Sequence, residues 1–178
     1  ELPETPEELK NVLIAFRDKK GATAPLSLAY STMQWGFAQL GMVSGAFGIP
    51  SLFSYVDNGT VKYGAYEDGY KEYLAYMNDL YKEGLLDKNF MTLDDTTVTA
   101  NLINGVSGFV LGSGGSGIGN WMTAGEKTDA KFSLTGVSPL AAKKGEKSVG
   151  GHYDNPIVNG TGVAISSGCK NVELACKF

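Results

Sequence analysis

The sequence predicts an α/β fold in which helices flank a mixed central sheet. Three observations support this: amphipathic helical patterns recur along the chain, short apolar runs of strand character lie between them, and an Asn-Gly pair separates two β-prone runs. No internal repeat, charge block or proline-rich linker divides the 178 residues. We therefore expect a single α/β lobe over residues 1–178.

The first helix is expected to begin at Thr5. The Thr5 hydroxyl can cap the first turn, Pro6 suits the first helical position, and Glu8 completes a capping box. Apolar residues then recur at helical spacing until Gly21, where the helix should end. The resulting apolar face consists of Leu9, Val12, Leu13 and Phe16.

The next elements are a short strand, a broken helix and a hairpin. Residues 24–28 have strand character, and the glycine-rich aromatic stretch 31–53 fits a helix interrupted by glycines. Asn58-Gly59 predicts a tight hairpin turn between β-prone runs.

A longer helix should cover about residues 67–83, with Gly84 as a left-handed C-cap. We assign its apolar stripe to the core, because such stripes usually bury area: Tyr70, Tyr73, Leu74, Met77, Leu80 and Tyr81.

The second half of the chain alternates between short helices and strands. We expect a helix at 96–104 capped by Asp94 and Asp95, a buried strand at 106–111, a glycine loop at 112–119 and a short helix at 118–125. Strand and loop should follow up to residues 163–165, and a last helix should start near Asn171.

Composition excludes several classes of protein. The net charge of −4 and the lack of a basic run argue against nucleic-acid binding, which needs clustered cations to neutralise phosphates. No apolar stretch approaches the roughly 20 residues that span a bilayer. The first residues lack the features of a signal peptide, and both ends look cut, so we expect an excised lobe whose missing signal peptide says little about the location of the parent protein.

The two cysteines, Cys169 and Cys176, lie too far apart for a disulfide if a helix joins them. Two helical turns separate their Cα atoms by about 10 Å, beyond the roughly 7 Å limit. We expect free thiols. The lone His152 adds too few soft ligands for a metal site.

The segment Gly112–Gly117 fits the dinucleotide pattern G-x-G-x-x-G. A lone match is weak in a chain with 24 glycines, and no apolar strand ends in an acid at the expected distance, since Asp129 comes too early. A nucleotide-dependent enzyme that uses this loop stays open as a minor alternative.

No catalytic signature is present in the sequence. The sequence has no G-x-S-x-G nucleophile motif, and the only histidine, His152, lies in a glycine-rich loop. No pair of carboxylates is placed to face each other across a cleft. The acids show no calcium-loop spacing either. We expect a protein that is not an enzyme and has no cofactor.

Several motifs, in their order, resemble a known family. They are the Thr5-Pro6 helix start, the D-N-G-T-V-x-Y hairpin at 57–63, Y-K-E-G-L-L-D at 81–87, the strand and Gly-Ser turn at 108–113, and G-V-A-I-S at 162–166 before N-x-E at 171–173. Together they resemble the second lobe of an extracellular solute-binding protein of the family 1 type, the substrate-binding lipoproteins of carbohydrate ABC transporters.

The resemblance implies one lobe of a two-lobed periplasmic-binding-protein-like fold. Such a protein would bind a sugar or oligosaccharide in the cleft between its lobes and deliver it to membrane permease subunits, as a monomer anchored by lipid at the outer face of a bacterial membrane. The anchor would lie outside this chain. The alternative ligand is an oligopeptide or another small solute.

For a sugar ligand, we look for aromatic and amide side chains outside the helical stripes, because pyranose faces stack on aromatic rings and hydroxyls need planar polar partners. A glycine loop adds backbone that a ligand can approach. The candidate ligand-binding residues are Gln34, Trp35, Ser113, Gly114, Gly115, Asn120, Trp121, Tyr153 and Asn155; no catalytic or metal-binding residue is expected.

Overall fold

The computed structural model describes residues 2–112, 117–151 and 164–177. Helices and short extended segments pack around one apolar core, so the predicted α/β class is confirmed. The helices and strands are α1 (Pro6–Lys20), α2 (Tyr30–Thr32) continuing as a π-helix (Met33–Gln39), a 3₁₀ turn (Ser44–Phe47), β1 (Ser54–Asp57), β2 (Thr60–Tyr63), a 3₁₀ turn (Gly64–Tyr66), α3 (Asp68–Lys82), α4 (Asp95–Ile103), α5 (Gly119–Gly125) and α6 (Val172–Lys177).

Helix α1 begins and ends as predicted. The Thr5 hydroxyl accepts a hydrogen bond from the Glu8 N–H, and Gly21 adopts the left-handed conformation (φ 73°) that ends the helix. The Glu8 carboxylate accepts its 2.8 Å hydrogen bond from the Glu4 N–H, one residue before the Thr5 N–H that a standard capping box uses. Leu9 and Leu13 are buried on the apolar face.

Three extended segments, 24–28, 85–87 and 106–109, run side by side through the core. Leu26 forms parallel bridges with both Leu86 and Phe109, so the first segment in the chain lies between the other two. Single bridges replace a continuous central sheet here. One reason is Pro25, which has no N–H to donate; its carbonyl accepts hydrogen bonds from two consecutive N–H groups of the third segment. We call these the parallel segments.

The predicted hairpin is confirmed. β1 and β2 pair antiparallel with Val56 opposite Val61, and Asn58 and Gly59 both have positive φ, as a type I′ turn requires. The hairpin is not bridged to the parallel segments among the described residues.

Helix α3 follows its predicted range closely, with Gly84 left-handed just after it (φ 72°). Tyr73, Met77 and Leu80 are buried, as the stripe predicted. Leu74 (48% exposed) and Tyr81 (36% exposed) are not core residues, because the stripe is wider than the contact face of the helix. Burial raises the pKa of the Tyr73 and Tyr76 phenols.

The later elements agree with the sequence in part. Asp94 caps α4, and α5 starts at Gly119. Segment 106–111, predicted to be a buried strand, is half-buried because it borders two cavities. Residues 126–151 are irregular, and the expected late strand is absent from its described part, 164–166. Backbone hydrogen bonds attach the irregular stretch to the rest: Leu140 N–H donates to the Met42 carbonyl and Ala141 N–H to that of Glu4.

Cys169 and Cys176 are free thiols, as predicted. Within the described ranges, no helix combines the length and apolar character needed to cross a membrane, and no cluster of three potential metal ligands occurs.

Candidate ligand-binding cleft

A cleft of about 590 Å³ opens at the carboxyl ends of two parallel segments. Leu28 ends the central segment and Ala29 follows it, Leu111 and Gly112 follow the third segment, and all four residues line the cleft. The order of the segments in space is 85–87, 24–28 and 106–109. The strand order therefore reverses at the central segment, which comes first in the chain. Ligands of open α/β sheets bind at this kind of switch point, outside the carboxyl ends of the strands.

Trp35 lies on one wall of the cleft, on the π-helix that continues α2. Its side chain is 45% exposed, which leaves much of the indole available for contact. Next to it, Gly36 is buried so tightly that a Cβ would overlap the Leu111 side chain. The π-helical turn, a geometry often found at functional sites, thus packs its glycine inward and presents Trp35 to the cleft.

Trp121, on α5, forms another wall and is fixed on two sides. Its indole Nε1–H donates a hydrogen bond of 2.9 Å to the Thr99 hydroxyl on α4. Its ring lies against Gly112, where a Cβ would come within 2.7 Å of the Trp121 Cζ3 atom. Trp121 is therefore half-buried and positioned, whereas Trp35 is largely open.

The polar side chains of the cleft come from three helices. Thr32 and Thr99 contribute hydroxyls, Asn120 an amide, and Asp95 a carboxylate. Hydrogen bonds from Thr97 lower the pKa of the neighbouring Asp94 carboxyl, which caps α4. Asp95 is the sole ionisable side chain among the described residues that line the cleft. Aromatic faces, hydroxyls, an amide and a carboxylate thus converge on one water-accessible space.

Three of the nine residues predicted for ligand binding lie together in this cleft: Trp35, Asn120 and Trp121. Gln34 is exposed and is not among the lining residues, since it precedes Trp35 on the π-helix and lies off the cleft face. The other five lie outside the described residues: Ser113, Gly114, Gly115, Tyr153 and Asn155.

Thr32, Thr99 and Asp95 line the cleft but were not predicted as ligand-binding residues from the sequence. Asp95 was interpreted as a helix cap, whereas Asp94 is the cap and Asp95 begins the helix. Thr99 carries no local signal, because its role depends on contact with Trp121 on another helix.

A second cavity, of about 530 Å³, adjoins the first across Leu111, Gly112 and Trp121. Its described lining is mostly apolar, with hydroxyls only from Ser133, Thr135 and Ser138. Among the described lining residues, this cavity has neither an amide nor a charged side chain, whereas the cleft has both, so we take the cleft as the candidate site.

No protein family model matches the chain, and no curated protein gives a significant match. Solved structures are similar to part of it. One is the S. pneumoniae ABC-transporter substrate-binding protein FusA, an EF-hand mutant in complex with fructo-nystose; it is 24% identical, with a TM-score of 0.49, over 61% of this chain and 23% of that one.

Two further similar structures have TM-scores of 0.46. An extracellular solute-binding protein from Bifidobacterium longum subsp. infantis is 26% identical over 58% of this chain and 24% of its own. The alginate-binding protein AlgQ2, without calcium ion, is 26% identical over 62% of this chain and 23% of its own. The chain thus spans about a quarter of the length of each of these proteins. That this chain shares their ligands or partners is therefore a proposal.

Proposed function

We propose that this chain is one lobe of an extracellular solute-binding protein of an ABC transporter and that it contributes a wall of a carbohydrate-binding cleft. The single observation that carries the proposal is that both tryptophans of the chain line the same cleft, beside hydroxyl and amide side chains. The ordered motifs from Thr5-Pro6 to the 162–166 segment support the family assignment independently.

The chemistry of the cleft suits a sugar. A pyranose presents apolar C–H faces that stack on indole rings, and its hydroxyls exchange hydrogen bonds with threonine and amide groups. Trp121 offers a pre-positioned platform because Thr99 and Gly112 fix its ring. Trp35 is open enough to adjust to the ligand.

The proposed mechanism is binding and release without a covalent step. The second lobe would close over the ligand, and the liganded form would be recognised by permease subunits. In this proposal the parent protein is a lipid-anchored monomer at the outer face of a bacterial membrane. The described cleft residues contain no second ionisable group to pair with Asp95 in acid–base chemistry.

The second candidate is an oligopeptide receptor of the same fold. One observation favours it: the Asp95 carboxylate lines the cleft and could meet the ammonium group of a peptide N-terminus.

An indole N–H titration decides between these ligands. The chain has two tryptophans, so its two indole resonances in a ¹H–¹⁵N spectrum both report on the cleft. We expect saturable shifts with oligosaccharides, such as maltotriose or a fructo-oligosaccharide, at millimolar concentration, because one lobe supplies only part of the contacts. Shifts with a tripeptide alone would favour the second candidate, and shifts with a dinucleotide alone would contradict both.

A pair of variants separates binding from stability. Trp35→Ala should abolish the sugar-induced shift of the Trp121 indole while leaving the thermal midpoint nearly unchanged, since Trp35 is substantially exposed. Tyr66→Ala is the matched control, because Tyr66 is an exposed aromatic (89%) in the 3₁₀ turn that follows β2 and is not in the cleft lining. Equal binding by wild type and Trp35→Ala would contradict the proposed site.

A further inference from the structure

Among the described residues that line the cleft, the one charged side chain is the carboxylate of Asp95. Asp95 is exposed at the first position of α4, and no Lys, Arg or His is among the described lining residues. Within the described residues, no ion pair involves Asp95. A ligand that enters the cleft therefore meets the Asp95 carboxylate, and the described residues that line the cleft offer no cationic side chain beside it.

The N-terminus of α4 does not compensate for the negative charge of Asp95, so it does not make the cleft attractive to anions. A helix N-terminus normally attracts negative groups through its free N–H groups and dipole. In α4 the Asp94 carboxylate already accepts from the Thr97 N–H at 2.7 Å, and Asp95 adds a second negative charge to the first turn. The carboxylates of Asp94 and Asp95 thus already lie at the end of the helix that would otherwise attract an anionic ligand.

We infer that the cleft selects neutral saccharides and rejects glycans that carry carboxylate groups, with Asp95 as the residue that sets this selectivity. The inference rests on the proposed carbohydrate function and narrows its substrate class. Stacking on Trp35 and Trp121 does not depend on the charge of the sugar, so neutral and acidic forms of one sugar should differ chiefly by repulsion from Asp95.

The test uses one oligosaccharide in two forms. The neutral saccharide that gives the largest indole shift is compared with the same saccharide after its primary hydroxyls have been oxidised to carboxylates. At low salt the oxidised form should bind about fivefold more weakly or worse, because two like charges about 4 Å apart in water-like surroundings contribute a factor of that size. Added salt should reduce the difference through screening.

Variants assign the effect to Asp95. Asp95→Asn should raise the affinity for the oxidised saccharide relative to the neutral one by about the same factor, so that the ratio of the two affinities approaches one. Asp68→Asn is the matched control, since Asp68 is likewise an exposed first residue of a helix but does not line the cleft. It removes the same charge from the chain and should leave the difference between the two saccharides intact.

The outcomes separate the inference from the proposed function. If no saccharide shifts either indole, the carbohydrate function falls and the inference falls with it. If both forms bind wild type equally, the function stands and the inference is wrong. If Asp95→Asn still rejects the oxidised form as strongly as wild type does, the loss of the primary hydroxyls explains the difference, and the assignment to Asp95 is overturned.

Discussion

The contact between Gly112 and Trp121 allows a sharp test of how the cleft is built. In Gly112→Ala the new methyl carbon would lie 2.7 Å from Trp121 Cζ3 and closer still to Cη2, well inside van der Waals contact. The Gly112 backbone does not have a positive φ, so alanine is tolerated by the main chain itself. The steric overlap with the indole is therefore the main effect of the substitution.

The expected cost follows from the two contacts that hold the ring. Overpacking of a fitted site typically costs about 1–3 kcal/mol of unfolding free energy. A ring that moves away also weakens the 2.9 Å hydrogen bond to Thr99, a further contribution of about 0.5–1.5 kcal/mol when a neutral bond is lost. Together the two contributions give a loss of about 3 kcal/mol, which for a chain of this size lowers the melting temperature by about 6–12 °C.

Thermal and urea unfolding measure the loss, and the indole resonance of Trp121 in a Trp35→Phe background reports the displacement of the ring. Gly119→Ala is the control, because a Cβ at Gly119, the first residue of α5, meets nothing within 4 Å. That variant should be neutral or more stable by up to about 1 kcal/mol. The reasoning is refuted if Gly112→Ala keeps wild-type stability and an unchanged Trp121 resonance.

Three further predictions concern the core and the titrating groups. Leu80→Ala, at a fully buried position, should lower the unfolding free energy by about 2–5 kcal/mol in urea, whereas Leu74→Ala, at a half-exposed one, should cost less than about 1 kcal/mol. The pKa of Asp94 is lowered in the folded state, so its contribution to stability is present above the unfolded pKa of about 3.9 and is lost as pH falls below that value. Asparagine is still a good cap. Asp94→Asn should therefore reduce the decrease in unfolding free energy at acid pH. Because burial raises the pKa of Tyr73 and Tyr76, the unfolded chain loses these protons first, so stability should fall as pH rises above about 10, together with the appearance of tyrosinate absorbance.

Local chemistry explains which elements could be predicted from the sequence. The α1 boundaries follow from a capping threonine and a left-handed glycine, and the hairpin follows from Asn58-Gly59, because each of these signals acts within a few residues. The outward position of Leu74 was missed because a stripe of apolar residues does not tell which of them face the core.

The cleft depends on contacts between distant parts of the chain, which no short pattern encodes. Trp35 and Trp121 were singled out separately, each from its own glycine-rich surroundings, but the sequence did not indicate that they face one space. Thr99 gains its role only where α4 meets α5. The reduction of the central sheet to single bridges at Leu26 likewise depends on which segments become neighbours.

The attachment of the irregular stretch to α1 has a consequence for the order of folding. The Gly145 N–H donates to the Glu4 carboxylate across 141 residues, and Lys144 pairs with Glu8 across 136. Helix α1 can form early from local signals, but these contacts must wait until residue 145 has been synthesised. Closing so long a loop is slow compared with helix formation, so the last native contacts to appear should join the start of the chain to its final third.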